Sequence, residues 1–345
     1  ISRSPAITLC VVLVECVDHG QAVHGQVVLD HVKEHVAGRK KRREATGADQ
    51  LGQRAGLQGT MSLSKLVGLV VFILVFVPAL IAALESERDN DIVTGCLIAL
   101  AKIGDSKDEA GEGKEGFADV ISKFLNDSSQ EIKETAAVSL GILGNESSIE
   151  PLTHLALNTL EGRKLVSKGG AANEVDERTR SFALYGLGLI GYRTEDEAAR
   201  KTIVDTLVDL LEGDGKTSAQ RDMSVAALVA MGLVPLESNP EWAPVEDTPW
   251  KASECREAQV QWVMTYYRDD SINFLVRAHC PTTLARLVQF ADPRKLFEND
   301  ADQSYRPLKE MIATELVKDI DKRSKAETEI QQSAILALGL IGDSD

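Results

Sequence analysis

Residues 97–104 read Leu-Ile-Ala-Leu-Ala-Lys-Ile-Gly, and variants of this block recur four times further down the chain. The later copies are AVSLGILG at 137–144, LYGLGLIG at 184–191, VAALVAMG at 225–232 and ILALGLIG at 335–342. Their closing glycines, 104, 144, 191, 232 and 342, are 40, 47, 41 and 110 residues apart. A period near 40 with helical patterning is the signature of stacked helix pairs. Aligned on the closing glycine, the fourth residue before it is Leu100, Leu140, Leu187, Leu228 or Leu338. The residue just before it is Ile103, Leu143, Ile190, Met231 or Ile341. Small residues stand eight before (Cys96, Ala136, Ala183, Ser224, Ala334) and five before (Ala99, Ser139, Gly186, Ala227, Ala337). Bulky side chains three apart, alternating with small ones, give a helix one filling face and one face open to close approach. The closing glycine supplies a left-handed residue to end the helix.

A second helix is expected before each block. Phe117–Leu125, Ile149–Leu160, Ala199–Leu211 and Pro307–Val317 all carry apolar residues at spacings of 3 and 4. Arg256–Tyr267 and Ile272–Leu287 read as a diverged pair, so the 110-residue gap holds two repeats with insertions. Polar turns such as 126–129 and 213–215 join the helices. The expected fold is therefore all-α: an α-solenoid of about six stacked antiparallel helix pairs over residues 78–345.

On these blocks, and on Lys133, Arg180 and Arg221 eleven residues before their glycines, the chain resembles the HEAT-repeat family. The resemblance is to the bacterial HEAT-like variety related to phycobilisome-lyase repeats, over roughly 78–233 and 303–345; Val93 and Gln331 break the basic position. It implies a scaffold that binds partners, and leaves open an enzyme or enzyme-accessory role, because such repeats occur in chromophore lyases.

Two insertions interrupt the repeats, at 161–177 and 237–254. The second holds three prolines with Trp242 and Trp250, and reads as an ordered loop. Together with Trp262, Tyr266 and Tyr267 it forms the aromatic concentration of the chain, with two readings: core of the diverged pair, or anchors for a partner. Charge narrows that partner. The chain carries 53 acidic against 38 basic residues, and residues 85–345 carry 47 against 29. Such a surface repels phosphate backbones, so nucleic acid is not the expected ligand; basic proteins, basic peptides or cations fit it, and the acidity equally serves to keep a long surface soluble.

Residues 1–60 are different material: four of six histidines, two of five cysteines and no methionine, with Met61 the first methionine. They read as upstream or disordered sequence, or as an N-terminal domain whose basic run at 39–43 would suit an anion, and the end at Asp345, without a capping repeat, reads as a truncation. Residues 66–84 are uncharged. They read as a membrane helix, or as an apolar signal segment (66–77) followed by the first repeat helix from Pro78. Export follows if the segment is a signal and anchoring if it is a membrane helix; if it is neither, the chain is cytoplasmic.

Motifs for chemistry are weak. His31-Val32-Lys33-Glu34-His35 matches an inverted zinc-protease pattern without helical context or a third ligand. Gly213-Asp214-Gly215-Lys216-Thr217 lacks the upstream glycine and strand of a phosphate loop. Cys96 sits in a small-residue packing slot; Cys255 and Cys280 would be buried thiols, or a disulfide after export. His154 and His279 lack ligand company. No catalytic, cofactor or metal residue is assigned, and an enzyme would need a cleft gathering Cys255, Cys280 or His279 with a carboxylate.

Overall fold

The computed structural model describes residues 63–104, 116–168, 174–213, 221–245, 248–289, 306–321 and 326–342, with side chains from Val75 onward. Residues 1–60, the His31–His35 motif, Gly169-Gly170 and most of the 213–217 turn lie outside the described residues. All regular structure among the described residues is helical. The chain divides into two compact units, 1–100 and 101–345.

In the first unit, α1 spans Leu63–Ser86 and α2 begins at Asn90, running on to Ile103. Helix α1 is continuous through Pro78. A proline inside a helix costs a hydrogen bond and need not end it where neighbouring apolar residues keep it packed. Among the residues whose side chains the structure describes, from Val75 onward, no helix is long and apolar enough to cross a membrane.

Among the described residues the second unit contains five helix pairs. Helix α3 (Phe117–Ser122, extended by a 3-10 turn to Asn126) packs on α4 (Gln130–Leu143), and α5 (Ile149–Ala156) packs on α7 (Glu177–Arg193). Then α8 (Glu197–Gly213) packs on α9 (Arg221–Met231). Helix α10 (Arg256–Arg268) packs on α12 (Cys280–Gln289), with the single turn α11 (Phe274–Arg277) between them. The last pair is α13 (Arg306–Ile320) with α14 (Thr328–Ile341). The block helices also touch one another in order: α4 with α7, α7 with α9, α9 with α12 and α12 with α14. The diverged stretch therefore supplies a full pair, and α12 takes the block position although it lacks the block's wording.

Burial follows the repeat register. Cys96, Ala136, Ala183, Ser224 and Ala334 are completely buried, as are Leu100, Leu140, Leu187 and Leu228. Leu338, their counterpart in α14, is only half-buried. Close approach is real: a β-carbon on Gly141 would stand 2.3 Å from the Gly186 Cα, and one on Gly188 would stand 2.8 Å from the Ala230 Cα. The closing glycines divide into two kinds. Gly104, Gly144 and Gly342 are left-handed helix ends, with φ of 72°, 80° and 74°. Gly191 lies inside α7, and a β-carbon there would meet Val234 at 2.6 Å, so its smallness serves packing rather than helix termination.

The expected helix over 149–160 stops at Ala156, because Asn158 takes a positive φ of 52°. Asparagine tolerates that conformation, and its side chain accepts hydrogen bonds from Val175 N (2.9 Å) and Arg163 Nε (3.1 Å). The insertion is thereby tied down and forms its own short helix, α6 (Leu160–Leu165), packed on α5. Arg180, eleven residues before Gly191, is buried and donates from Nε to the Ala156 carbonyl at 2.8 Å, capping the end of α5. Asp176 caps α7, accepting from Arg178 N, Thr179 N and Thr179 Oγ1, and also from Gln130 Nε2 on α4 at 2.8 Å. Asp176→Ala is expected to lower stability by about 1–2 kcal/mol, read as a fall in urea midpoint with an unchanged denaturant slope.

Candidate functional site

The site is built where α8, the 234–255 segment and α10 meet. Three consecutive turns of α8 carry Asp205, Asp209 and Glu212, whose spacings of 4 and 3 place them on one helix face. Burial raises the Asp209 carboxyl above its ordinary value, the negative charges of Asp205 and Glu212 raise it further, and Lys251 opposes them. The carboxylates make this edge negative, and Lys251, brought over by the loop, is the cation that acts on Asp209.

The loop is held by the first turn of α10. The chain after α9 runs without regular structure from Val234 to Asn239, and buried polar side chains of α10 bind its backbone. Gln259 donates to the Val234 carbonyl at 2.9 Å and accepts from Leu236 N at 3.3 Å. Arg256 donates from Nε to the Leu236 carbonyl at 2.8 Å. Glu257 accepts from Asn239 N at 2.6 Å and from the Ser238 hydroxyl. These bonds satisfy backbone groups that no helix serves, the condition for burying irregular chain. Ser253 then donates to Asp205 at 2.6 Å, and Glu237 N donates to Glu197 at 2.9 Å, fastening the loop to α8.

The five aromatic residues fall into two groups. Tyr266 and Tyr267 are interior residues, 7% and 1% exposed. The Tyr267 hydroxyl donates to Asp319 at 2.6 Å, its ring lies under the Arg268 guanidinium at 4.6 Å, and Arg268 bonds Glu315 and Asp319, joining α10 to α13. Burial pushes both tyrosine hydroxyls up out of their ordinary range. The three tryptophans keep accessible surface. Trp262 stacks on Tyr266 at 5.3 Å between centroids and donates from Nε1 to Glu212 at 3.1 Å, so it borders the acidic face. Trp242 and Trp250 meet edge to face at 5.3 Å, and Trp242 Nε1 donates to Glu254 at 2.8 Å. At that separation the two rings are in direct contact and leave no room for a cation between them; they offer outer faces instead.

Of the residues considered for a nucleophilic site, Cys255 has the Glu257 carboxylate beside it. Cys255 and Cys280 are buried free thiols rather than a disulfide. Burial raises the pKa of both, keeping them protonated and poorly reactive. His279 is lowered by burial, and so stays neutral. Among the described residues no group of His, Cys, Asp or Glu is placed to hold a metal ion. The sequence singled out the tryptophans but missed the acidic face of α8 and the buried polar turn at 256–259. The first was legible as carboxylates at helical spacing; the second needed knowledge of which backbone it would meet.

No protein-family model and no curated protein matches the chain. A solved structure described as the crystal structure of an engineered protein is similar at 18% identity and a TM-score of 0.36, covering 77% of this chain and 96% of that one. A likeness of that degree carries no argument about fold or function.

Proposed function

We propose that the chain is a HEAT-like α-solenoid scaffold that binds a basic peptide segment of a partner protein at the α8–α10 edge. The solenoid reading is supported by the ordered contacts of the block helices and by burial that repeats in register. The binding reading rests on one observation: a row of carboxylates on α8 bordered by Trp262 and by a loop whose backbone is bonded to α10. Lysine or arginine side chains would gain charge attraction from Asp209 and Glu212, and a ring face from Trp262. The bonded loop limits the entropy lost on binding.

The test is a tryptophan-fluorescence titration of the full chain with a lysine- and arginine-rich peptide, beside its glutamate-substituted counterpart. Only the basic peptide is expected to bind. Paired substitution Asp209→Asn with Trp262→Ala should weaken it by about tenfold or more, a loss of roughly 1.4 kcal/mol. A bound cation favours the ionised form of Asp209, whose pKa burial and the neighbouring carboxylates raise. Affinity should therefore increase as pH rises through the folded-state Asp209 pKa, and Asp209→Asn should flatten that dependence. Equal binding of both peptides, or none, overturns the reading.

A further inference from the structure

Helix α10 places aromatic side chains beside carboxylates in two places, and in one of them the chain supplies its own cation. Arg268 lies over the Tyr267 ring, with Cζ 4.6 Å from the centroid. Its Nε donates to Glu315 at 2.5 Å and its Nη1 to Asp319 at 2.9 Å. Glu315 and Asp319 are four residues apart on α13, so they stand on one helix face. A planar guanidinium meets both demands at once: its face rests on the ring while N–H groups at its edge reach the carboxylates. An ammonium is a compact, strongly hydrated charge with no flat face to lay down.

The α8–α10 edge repeats that chemistry with exposed groups. Asp205 and Asp209 are again four apart on one helix, with Glu212 three residues on, and Asp209 and Glu212 are exposed. The aromatic partner is Trp262, held by two contacts. Tyr266 stacks on one side of its ring at 22° between planes, and its Nε1 donates to Glu212 at 3.1 Å. The ring is thereby fixed, with a carboxylate at its edge. Glu212 accepts the indole proton through Oε1, and a carboxylate has about four acceptor positions, so it can take further N–H groups. Among the described residues Lys251 is the cation that acts on Asp209, against the two carboxylates that flank it. Building on the reading of this edge as a basic-peptide site, we propose that the residue it selects in the partner protein is arginine. The guanidinium lies on the outer face of Trp262 and bonds Glu212 at its edge, as Arg268 lies on Tyr267 and bonds Glu315. Lysine at the same place keeps the charge attraction and loses the stacking.

The experiment compares, by fluorescence anisotropy on the full chain, two dye-labelled peptides of equal length and charge. One carries arginine at every basic position and the other lysine. The arginine peptide is expected to bind about fivefold or more tighter. Trp262→Ala should bring the two affinities to within about twofold of each other, and Trp262→Phe should keep part of the difference. Trp242→Ala, which leaves the Trp262–Tyr266 stack untouched, should preserve the difference in full. In a nitrogen-edited magnetic-resonance spectrum, the Trp262 indole N–H signal, identified by its loss in Trp262→Phe, should shift with the arginine peptide. A lysine peptide that binds as tightly, or an arginine advantage that survives Trp262→Ala, overturns the inference while the basic-peptide site stands. Binding by neither peptide overturns the site itself, and the inference with it.

Discussion

Gly141→Ala should destabilise the second unit by about 3 kcal/mol or more, a larger loss than a single added methyl usually brings. The reason is what the methyl would meet. Its carbon would lie 2.3 Å from the Gly186 Cα, 2.6 Å from its carbonyl oxygen and 2.8 Å from its carbonyl carbon. All three are backbone atoms of a buried helix, and none can rotate aside. The α4–α7 contact would have to open, and α7 also carries α5 and α9. Close-packed interiors transmit such a shift rather than absorb it. Gly95→Ala supplies the opposite sign. Gly95 lies within α2, where a β-carbon would meet nothing within 4 Å. Removing glycine from a helix interior there should stabilise its unit by about 0.5–1 kcal/mol. Urea unfolding of both variants checks the pair. Two losses of similar size would mean that glycine at 141 serves helix propensity alone, and that the two helices do not cross there.

The same contrast shows how far the sequence could be read. The block pattern places Leu140, Leu187 and Leu228 in the interior, and places a small residue at Ala136, Ala183 and Ser224; all six are completely buried. Those assignments follow from period and side-chain size, which one sequence displays. The closing glycines were harder. Glycine ends a helix in some copies and admits a neighbour in others, and the two demands write the same letter. Gly144 does the first, with φ of 80°, whereas Gly191 does the second, under Val234. Nothing within eight residues of sequence distinguishes them, because Val234 belongs to another repeat.

The candidate site was legible to a similar depth. Aromatic clustering drew attention to Trp242, Trp250, Trp262, Tyr266 and Tyr267, but exposure separates them and sequence does not carry it. Tyr266 and Tyr267 are consecutive, and both turn inward, on a helix whose buried residues also include Arg256, Glu257 and Gln259. Helical periodicity, which expects apolar residues inside, has no place for that trio. They are buried because the unpaired backbone of residues 234–239 needs partners. A polar requirement set by distant backbone outweighs the apolar pattern, which is why the α10 turn that holds the loop was missed.

Leu140→Asp should cost more than any other single change considered, because it combines a cavity with a buried charge. Leu140 is completely buried on α4, a helix enclosed by α3 and α7. Losing the leucyl side chain alone costs about 2–5 kcal/mol at such a site, which Leu140→Ala measures. A carboxylate without a partner adds several kcal/mol more. The sum approaches the roughly 5–15 kcal/mol that holds a typical domain together. Loss of the cooperative transition of the second unit is the expected outcome near neutral pH. The pH dependence then isolates the charge. Burial would raise the folded-state pKa of the new aspartate above its unfolded value of about 3.9. Its penalty is therefore complete above the folded pKa and shrinks as pH falls through it. Leu140→Asp should recover toward Leu140→Asn on acidification, with each measured against the unsubstituted chain at the same pH, while Leu140→Asn shows no such recovery. If Leu140→Asp and Leu140→Ala unfold together at every pH, water reaches residue 140, and the repeat register that places Leu100, Leu187 and Leu228 in equivalent interior positions fails with it.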